Sequence, residues 1–218
     1  MFFHRQLSTE TAPFTVVGTP TISTSTKKTG AGSLSVDGTS GNVDGIIYRD
    51  TVTASNTFTI EAWIYVPSAN QANASDNAYA VYVDGYGVFV DYQSTGFDIF
   101  FAVGPGTAAE NLTLQSYNTW HHVGIESDGS DYYGFMNGTL INNQTTSSTG
   151  FVNALVSVGL RGDDYENGIR GFTGFIDQVR VSNILRYNAN FTPPTTEFVD
   201  DANTVFLAHY NTDFNRED

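Results

Sequence analysis

The stretch "TFTIEAWIYV", residues 57–66, decides the fold class of this chain. Apolar side chains at every second position put Phe58, Ile60 and Ile64 on one face. Alternation of period two over this length predicts a β-strand with one buried face. From the same pattern in the other strand-like runs, we expect a largely buried set: Phe58, Ile60, Ile64, Trp120, Val123, Ile125 and Ile176.

Comparable runs recur along the rest of the sequence, at 78–83, 87–92, 97–103, 120–127, 131–138, 154–160 and 174–182. The turn dipeptides at 84–85, 128–129 and 137–138 (Asp-Gly, Asp-Gly and Asn-Gly) predict tight hairpins. Helical periodicity is lacking, and only 182–187 favours a short helical or bent link. Many short strands with regular turns predict an all-β fold, either a two-sheet sandwich or a barrel.

Composition limits the size and the partners of the protein. The chain has 218 residues, of which 40% are hydrophobic and 14% aromatic, so it can bury one sizeable core. We expect a single domain over 1–218 with a short N-terminal extension at about 1–13. The net charge of -14 and only nine Lys and Arg residues argue against a nucleic-acid partner. No apolar run is long enough to cross a membrane, so no membrane partner is expected.

The absence of cysteine excludes several kinds of site, and the N-terminal segment indicates whether the protein is exported. Without cysteine there are no disulfides, zinc-thiolate sites or cysteine nucleophiles. The segment "MFFHRQLSTETAPF" (1–14) has no apolar stretch of the secretory type. We therefore expect a protein that is not exported through a signal peptide.

Four ordered motifs carry a resemblance to a known family. They are "KTGAGSLSVDG" (28–38), "FTIEAWIYV" (58–66), "WHHVGIESDGSDYYGFMNGTLI" (120–141) and "GFIDQVRVSNILRYNANFTPP" (174–194). The series resembles the laminin-G-like, concanavalin A-like jelly-roll domains of bacterial surface proteins and of many phage structural proteins. The resemblance implies an all-β sandwich of two antiparallel sheets. The segment "ILRYNANFTPPT" (184–195) is especially similar to the phage versions of these domains.

The acid–base pair Asp177 and Arg180 lies within the last of these motifs. Regular alternation puts the two side chains on opposite faces of a strand, so they cannot pair directly. Each then needs a partner elsewhere, in a turn backbone or a neighbouring strand. The stretch is therefore interpreted as closing the sandwich rather than as carrying chemistry.

The acidic residues and histidines are the candidate catalytic groups of this sequence. Glu126, Asp128 and Asp131 resemble the Glu–Asp–Glu strand of glucanases with this fold, but the turn at Asp128 breaks the alternation that such a strand needs. His121 and His122 point to opposite sides of a strand and form a poor metal pair. The sequence therefore predicts no catalytic residue and no enzymatic activity.

A structural calcium ion is a candidate cofactor at two acidic places. Asp163, Asp164 and Glu166 supply oxygens within a few residues, and Asp37 is a second position of the same kind. Related domains bind calcium at a rim of the sandwich. The tripeptide Arg161–Asp163 has the sequence of an integrin-binding motif, but we interpret it as a polar loop between strands.

Glycan binding requires exposed aromatic rings beside groups that hydrogen-bond sugar hydroxyls. The residues proposed for this role lie at strand ends or in loops: Tyr86, Tyr92, Tyr132, Asp163, Asp164 and Tyr165.

The resemblance implies a non-enzymatic phage virion protein, either a capsid decoration or a tail-fibre or adhesin module. Its expected partners are other virion proteins, reached through an apolar patch, together with a cell-surface glycan and further copies of the chain. Its expected location is the virion surface, after assembly in the host cytoplasm. Two alternatives remain because this fold hosts several functions. One is an extracellular carbohydrate-binding module of a secreted bacterial surface protein or glycoside hydrolase, and the other is a glycoside hydrolase itself.

Overall fold

The computed structural model describes residues 13–39, 43–68, 77–104, 108–145, 147–163 and 170–216. Within these ranges the chain forms strands and no α-helix, and thus no helix suited to crossing a membrane. The strands are β1 (Phe14–Val17), β2 (Thr21–Ser23), β3 (Ser33–Val36), β4 (Gly45–Tyr48), β5 (Val52–Ala54), β6 (Thr57–Tyr65), β7 (Ala78–Val83), β8 (Tyr86–Tyr92), β9 (Phe97–Val103), β10 (Ala108–Gln115), β11 (Trp120–Asp128), β12 (Asp131–Met136), β13 (Thr139–Thr145), β14 (Phe151–Ala154), β15 (Val156–Val158), β16 (Gly174–Ser182) and β17 (Thr204–Ala208).

Two large antiparallel sheets make a sandwich, as predicted. The first sheet has the order β1-β4-β15-β7-β8-β9-β10. The second has the order β13-β12-β11-β6-β16-β3-β2, with β17 also paired to β16. The strands β14 and β5 form a separate two-stranded ribbon. Strands distant in sequence are neighbours in both sheets, so the fold is a sandwich with crossover connections rather than a series of hairpins.

The predicted hairpins form where the turn residues permit them. Asp84 and Gly85 both have positive φ (45° and 93°), and they join β7 to β8 directly. Asn137 and Gly138 (50° and 76°) join β12 to β13 in the same way. Two central residues with positive φ define the turn whose twist matches that of the flanking strands.

The core lies between the two sheets, and the predicted buried set is confirmed except at one position. Phe58, Ile60, Ile64, Val123, Ile125 and Ile176 are all fully buried in it. Trp120 is only partly buried, so that prediction is wrong. It starts β11 opposite Tyr65, and it packs against Trp63 and Phe198 on the outer side of the second sheet.

A β-bulge in β16 overturns the prediction that Asp177 and Arg180 face opposite sides. Asp177 pairs with Trp63 and Arg180 pairs with Glu61, so three steps on β16 match two on β6. Gln178 lies in the bulge and has a positive φ of 55°, which accommodates the extra residue of β16. Both charged side chains therefore lie on the outer face of the second sheet.

The chain between β16 and β17, residues 183–203, crosses this outer face and is called here the crossing segment. The predicted link at 182–187 is a bend within it rather than a helix. Phe191 and Phe198 lay their rings against His122, at 5.5 and 6.0 Å between centroids. The crossing segment thus seals a face that would otherwise be open to solvent.

Candidate functional site

The outer face of the second sheet holds a buried charged group that we call the Glu61 cluster: Glu61, His122, Arg180 and Tyr187. Arg180 donates to Glu61 Oε1 from Nε (2.8 Å) and from a terminal nitrogen (2.6 Å). The Tyr187 hydroxyl donates to Oε2 at 2.8 Å, and His122 Nε2 lies 3.0 Å from the same oxygen. Burial acts to raise the pKa of Glu61, but His122 and Arg180 outweigh it, so the pKa is lowered.

Glu126, the first member of the glucanase-like triplet, is buried beside this cluster. Its carboxylate accepts hydrogen bonds from the Thr59 hydroxyl (2.7 Å) and from the backbone amides of Arg186, Tyr187 and Asn188 at 2.9–3.0 Å. Burial nevertheless raises its pKa above the ordinary value. The carboxylate therefore fastens the bend of the crossing segment to the sheet, and it has no exposure to a substrate.

Asp128, the second acid of the triplet, has a local structural role. Asp128 Oδ1 accepts the amides of Ser130 and Asp131, both at 2.8 Å, and its Oδ2 accepts the Tyr133 hydroxyl. These contacts close the turn between β11 and β12. Glu126 and Asp128 both lie in β11, in unbroken register with β6, so the alternation breaks only after Asp128 rather than at it, and the turn separates Asp131 from the other two acids.

Asp177 has the turn-backbone partners that its sequence context suggested. Its Oδ2 accepts the amides of Lys28 (2.8 Å) and Thr29 (3.1 Å), and Gln178 donates to Oδ1. Arg180 has its partner, Glu61, on the neighbouring strand β6. The side chains of Asp177 and Arg180 both have structural roles, although they lie on the same face of the sheet rather than on opposite faces.

The prediction that Tyr86 and Tyr132 are exposed for stacking on a sugar is wrong. Their rings are 2% and 1% exposed and stack on one another at 6.0 Å, with Phe58 and Phe151 packed around them. Tyr86 begins β8 on the core face, and Tyr132 lies opposite Ser127 in β12, also facing inward. A core position leaves no ring face for a ligand.

Tyr92 is half-buried, and its hydroxyl is committed to the fold. The hydroxyl accepts the Thr173 amide at 2.8 Å and lies 3.4 Å from the Thr173 carbonyl. Burial raises its pKa well above the ordinary range. Its part in ligand binding stays a prediction.

An open cleft with a volume of about 280 Å³ lies beside the β7–β8 turn. Three separate stretches contribute to its wall: the end of β7 with the turn, the β14–β15 region, and the chain just after β15. The lining residues are Tyr82, Asp84, Val152, Asn153, Ala154, Leu155, Ser157, Gly162 and Asp163. The wall combines a tyrosine, two carboxylates, an amide, a hydroxyl and apolar side chains, which is the chemistry of a polar small-molecule site.

Among the described residues, Asp163 is the one proposed ligand residue that lines this cleft. Arg161 Nε and a terminal nitrogen donate to its two oxygens at 2.6 and 2.9 Å, and the Tyr82 hydroxyl donates at 2.8 Å. Partial burial acts to raise the pKa of Asp163, but the bonds from Arg161 and Tyr82 lower it. Burial and the same bond raise the pKa of Tyr82 to about 12. The carboxylate is therefore ionised and held in one orientation.

The same contacts explain the Arg161–Asp163 tripeptide. Arg161 and Asp163 pair with each other, and the guanidinium also lies 5.4 Å from the centre of the Tyr82 ring. Gly162 between them passes so near Ser157 that a Cβ would overlap its hydroxyl. The tripeptide is a folded wall of the cleft rather than an extended recognition loop.

The described residues do not form a calcium site. Among them no group of three or more His, Cys, Asp or Glu side chains is placed to hold a metal ion. Asp163 has both oxygens bound by Arg161 and Tyr82, and Asp37 is exposed with one oxygen accepting the Thr39 amide. Asp164, Tyr165 and Glu166 lie outside the described residues, so the calcium role of Asp164 and Glu166 and the glycan-binding role of Asp164 and Tyr165 stay predictions.

Four cleft residues were not identified from sequence: Tyr82, Asp84, Asn153 and Ser157. Asp84 could be read only as a turn former, although its exposed carboxylate also borders the cleft. Asn153 has a positive φ of 53° in a bulge of β14, where the register against β5 shifts. No local sequence pattern predicts that these residues lie close together, because they come from strands far apart in sequence.

Solved structures of similar fold include three proteins of different kinds. A proposed carbohydrate-binding protein from Bacteroides ovatus ATCC 8483 is 18% identical, with a TM-score of 0.58, over 76% of this chain and 48% of that one. Domain 4 of AbnA, an extracellular GH43 arabinanase from Geobacillus stearothermophilus solved with arabinotriose, is 14% identical (TM-score 0.54; 78% and 81% covered). The enzymatically active domain of tailspike protein 2 from bacteriophage CBA120 is 13% identical (TM-score 0.64; 93% and 33% covered).

These likenesses concern the fold alone, and this chain spans about half the length (48%) of the first of the three structures. No curated protein matches the sequence. A family model does match: Laminin_G_3, described as the concanavalin A-like lectin/glucanases superfamily, aligns with residues 37–189. This match covers more than half of the chain and includes most strands of both sheets. The chain therefore belongs to the concanavalin A-like lectin/glucanase superfamily.

Proposed function

We propose that this domain is a non-enzymatic glycan-binding module of a phage virion, carried as a capsid decoration or a tail-fibre protein. The observation that carries the proposal is the cleft beside the β7–β8 turn. There Tyr82 and Arg161 orient the Asp163 carboxylate, and Asp84, Asn153 and Ser157 add further hydrogen-bonding groups. Sugar hydroxyls are recognised by groups of this kind in a partly apolar setting.

Binding rather than hydrolysis is supported by the state of the carboxylates. A glycosidase needs one carboxylic acid that keeps its proton, which requires a raised pKa. In the cleft, Arg161 and Tyr82 lower the pKa of Asp163 instead. Glu126 has a raised pKa but is buried under the crossing segment.

The virion assignment rests on the similarity of "ILRYNANFTPPT" to phage versions of the domain. The fold likeness to a bacteriophage tailspike is consistent with it. In such a particle the acidic chain would be assembled in the host cytoplasm and displayed at the virion surface, in several copies on symmetric positions. Mass spectrometry of purified particles tests this assignment, and absence of the protein from particles that otherwise contain the full virion set would defeat it.

The second function to consider is a carbohydrate-binding module of a secreted bacterial surface protein or glycoside hydrolase. It is favoured by the likeness to domain 4 of an extracellular arabinanase, which was solved with arabinotriose. Both functions use the same cleft and differ in the protein that carries it. Capsid or tail genes beside the native gene would support the first, and a flanking catalytic domain would support the second.

A glycan array with the purified domain tests the binding step that both functions share. Asp84→Asn should weaken binding about tenfold, since a hydrogen bond to a charged group is typically worth about 1.5–3 kcal/mol and a tenfold change corresponds to about 1.4 kcal/mol. Asparagine tolerates the positive φ at this position. Asp50→Asn, at an exposed position that does not line the cleft, is the matched control and should bind as wild type. Absence of binding to any glycan would overturn the proposal.

A further inference from the structure

Two exposed apolar side chains border the cleft. Val152 is 69% exposed and Leu155 is 45% exposed, and both belong to its wall. The other large apolar side chains found this exposed among the described residues are Val16, Leu114 and Val199, and none of them lines the cleft. Exposed apolar groups gathered beside polar ones mark a surface that meets a ligand.

The backbone of β14 is built to present these side chains outward. Its register against β5 shifts between Phe151 and Ala154, and Asn153 takes a positive φ of 53° inside that irregularity. Phe151 and Ala154 stay buried while Val152 and Asn153 are exposed. A non-glycine residue in the left-handed region costs free energy, and bulges next to binding sites re-aim side chains.

The charge of the wall is one-sided. Asp84 and Asp163 are its charged members, and Arg161 pairs with Asp163 without lining the cleft, so Asp84 supplies the excess negative charge of the wall. The whole chain has a net charge of -14. A ligand with a carboxylate or sulfate would meet repulsion here, because like charges brought together in a partly desolvated site disfavour binding.

On the basis of the proposed glycan-binding function, we infer that the cleft selects neutral sugars that carry a methyl-bearing substituent, as in 6-deoxyhexoses and N-acetylhexosamines, over acidic sugars. The methyl group contacts Val152 and Leu155. The ring hydroxyls bind Asp84, Asn153 and Asp163, the last held by Arg161. Sugars without such a methyl group keep the polar contacts and lose the apolar one.

The test is a set of dissociation constants for the purified domain with three kinds of immobilised oligosaccharide. These are unsubstituted neutral hexoses, the two methyl-bearing kinds as separate arms, and uronic or sialic acid glycans. At least one methyl-bearing arm should bind about tenfold more tightly than the unsubstituted hexoses, a difference of about 1.4 kcal/mol. The acidic glycans should bind most weakly of all.

Matched double variants test whether the preference for methyl-bearing sugars depends on Val152 and Leu155. Val152→Ser with Leu155→Ser should reduce it to about twofold or less, since each buried methylene contributes about 0.8 kcal/mol. Val199→Ser with Leu114→Ser changes the same residue types away from the cleft and should leave it intact. Equal binding of all neutral sugars, a preference for acidic ones, or a preference that survives the first double variant would overturn the inference while glycan binding itself stands. Failure of every glycan to bind would instead overturn the proposed function on which the inference rests.

Discussion

The outer face of the second sheet and the cleft beside the β7–β8 turn both place carboxylates next to tyrosines, but in opposite settings. Glu61 is fully buried, with every contact supplied by the protein: Arg180, His122 and Tyr187. Asp84 is exposed at the mouth of an open cleft. A carboxylate whose hydrogen bonds are all internal stabilises the fold, whereas an exposed one in a mixed wall is available to a ligand.

The burial of the carboxylate distinguishes a structural site from a binding site more clearly than the residue types do. Each region contains an Arg–carboxylate pair and a tyrosine hydroxyl that donates to the carboxylate. In the Glu61 cluster the crossing segment covers the pair with aromatic rings. In the cleft nothing among the described residues covers it in the same way, since Asp163 keeps about half of its side chain exposed.

The largest expected effect is on the buried pair. Glu61→Gln leaves the Arg180 guanidinium buried without its counter-charge and should lower the free energy of unfolding by about 3–5 kcal/mol. Urea unfolding followed by tryptophan fluorescence measures it. Asp201→Asn breaks the exposed pair with Arg186 and should cost less than about 1 kcal/mol. Equal losses in the two variants would contradict the claim that burial of the ion pair sets its contribution to stability.

A smaller effect is expected from removing one hydroxyl. Tyr187→Phe keeps the ring stacked on Phe191 at 3.5 Å but removes a donor to the buried Glu61 carboxylate. The expected loss is about 1.5–3 kcal/mol, the usual contribution of a hydrogen bond to a charged group, while His122 Nε2 stays in contact with the same oxygen. Tyr133→Phe removes a hydroxyl that binds Asp128 at the surface, and it serves as the control with little change expected. A loss in the control as large as in Tyr187→Phe would show that burial is not the cause.

The strand pattern of the sequence was enough to predict an all-β fold and most of its core, because alternation directly records which face is buried. The family resemblance then favoured the sandwich over the barrel. The strand pattern failed where geometry departs from regular alternation. The bulge at Gln178 shifts Asp177 and Arg180 onto one face, and the sequence around it has no glycine or proline to announce this. Trp120 was misjudged for a different reason, since alternation from Val123 already puts it on the outer face.

The candidate site was largely beyond prediction from sequence. Tyr86 and Tyr132 were taken as loop-end residues, and only the pairing of distant strands shows that both face the core. The cleft draws on parts of the chain as far apart as Asp84 and Asp163, and their meeting depends on β15 pairing with β7. Among the proposed site residues that the structure describes, Asp163 alone lines the cleft, and it lies in the chain that leaves β15.

The pH dependence should differ in sign between two buried glutamates on the same face. The pKa of Glu61 is lowered in the folded state, so its stabilisation is present above its ordinary value of 4.5 and is lost as pH falls below it. The pKa of Glu126 is raised, so the folded state gains stability as pH falls through that raised value toward the ordinary one.

Urea unfolding of wild type, Glu61→Gln and Glu126→Gln from pH 7 to pH 3 measures both trends. The stability advantage of wild type over Glu61→Gln should shrink on acidification. Relative to Glu126→Gln, the wild-type protein should gain free energy of unfolding as the pH falls. Parallel trends for both variants would contradict the assigned shifts.

The smallest effect on stability is expected in the cleft. Asp84→Asn changes an exposed turn residue that keeps its backbone conformation, so the free energy of unfolding should change by no more than about 0.5 kcal/mol. Thermal unfolding beside the glycan array separates this from the binding loss. A variant that unfolds several degrees earlier would mean that Asp84 supports the fold, as Glu61 does.

The most direct test of the division between the two regions is an NMR titration of the ¹⁵N-labelled domain with the glycan that binds it most tightly in the array. If the cleft binds the ligand, the largest chemical-shift changes will occur at the amides of Asp84, Asn153 and Gly162, and those of Tyr187 and Phe191 will stay in place. The largest changes at the crossing segment, with an unchanged cleft, would contradict the account.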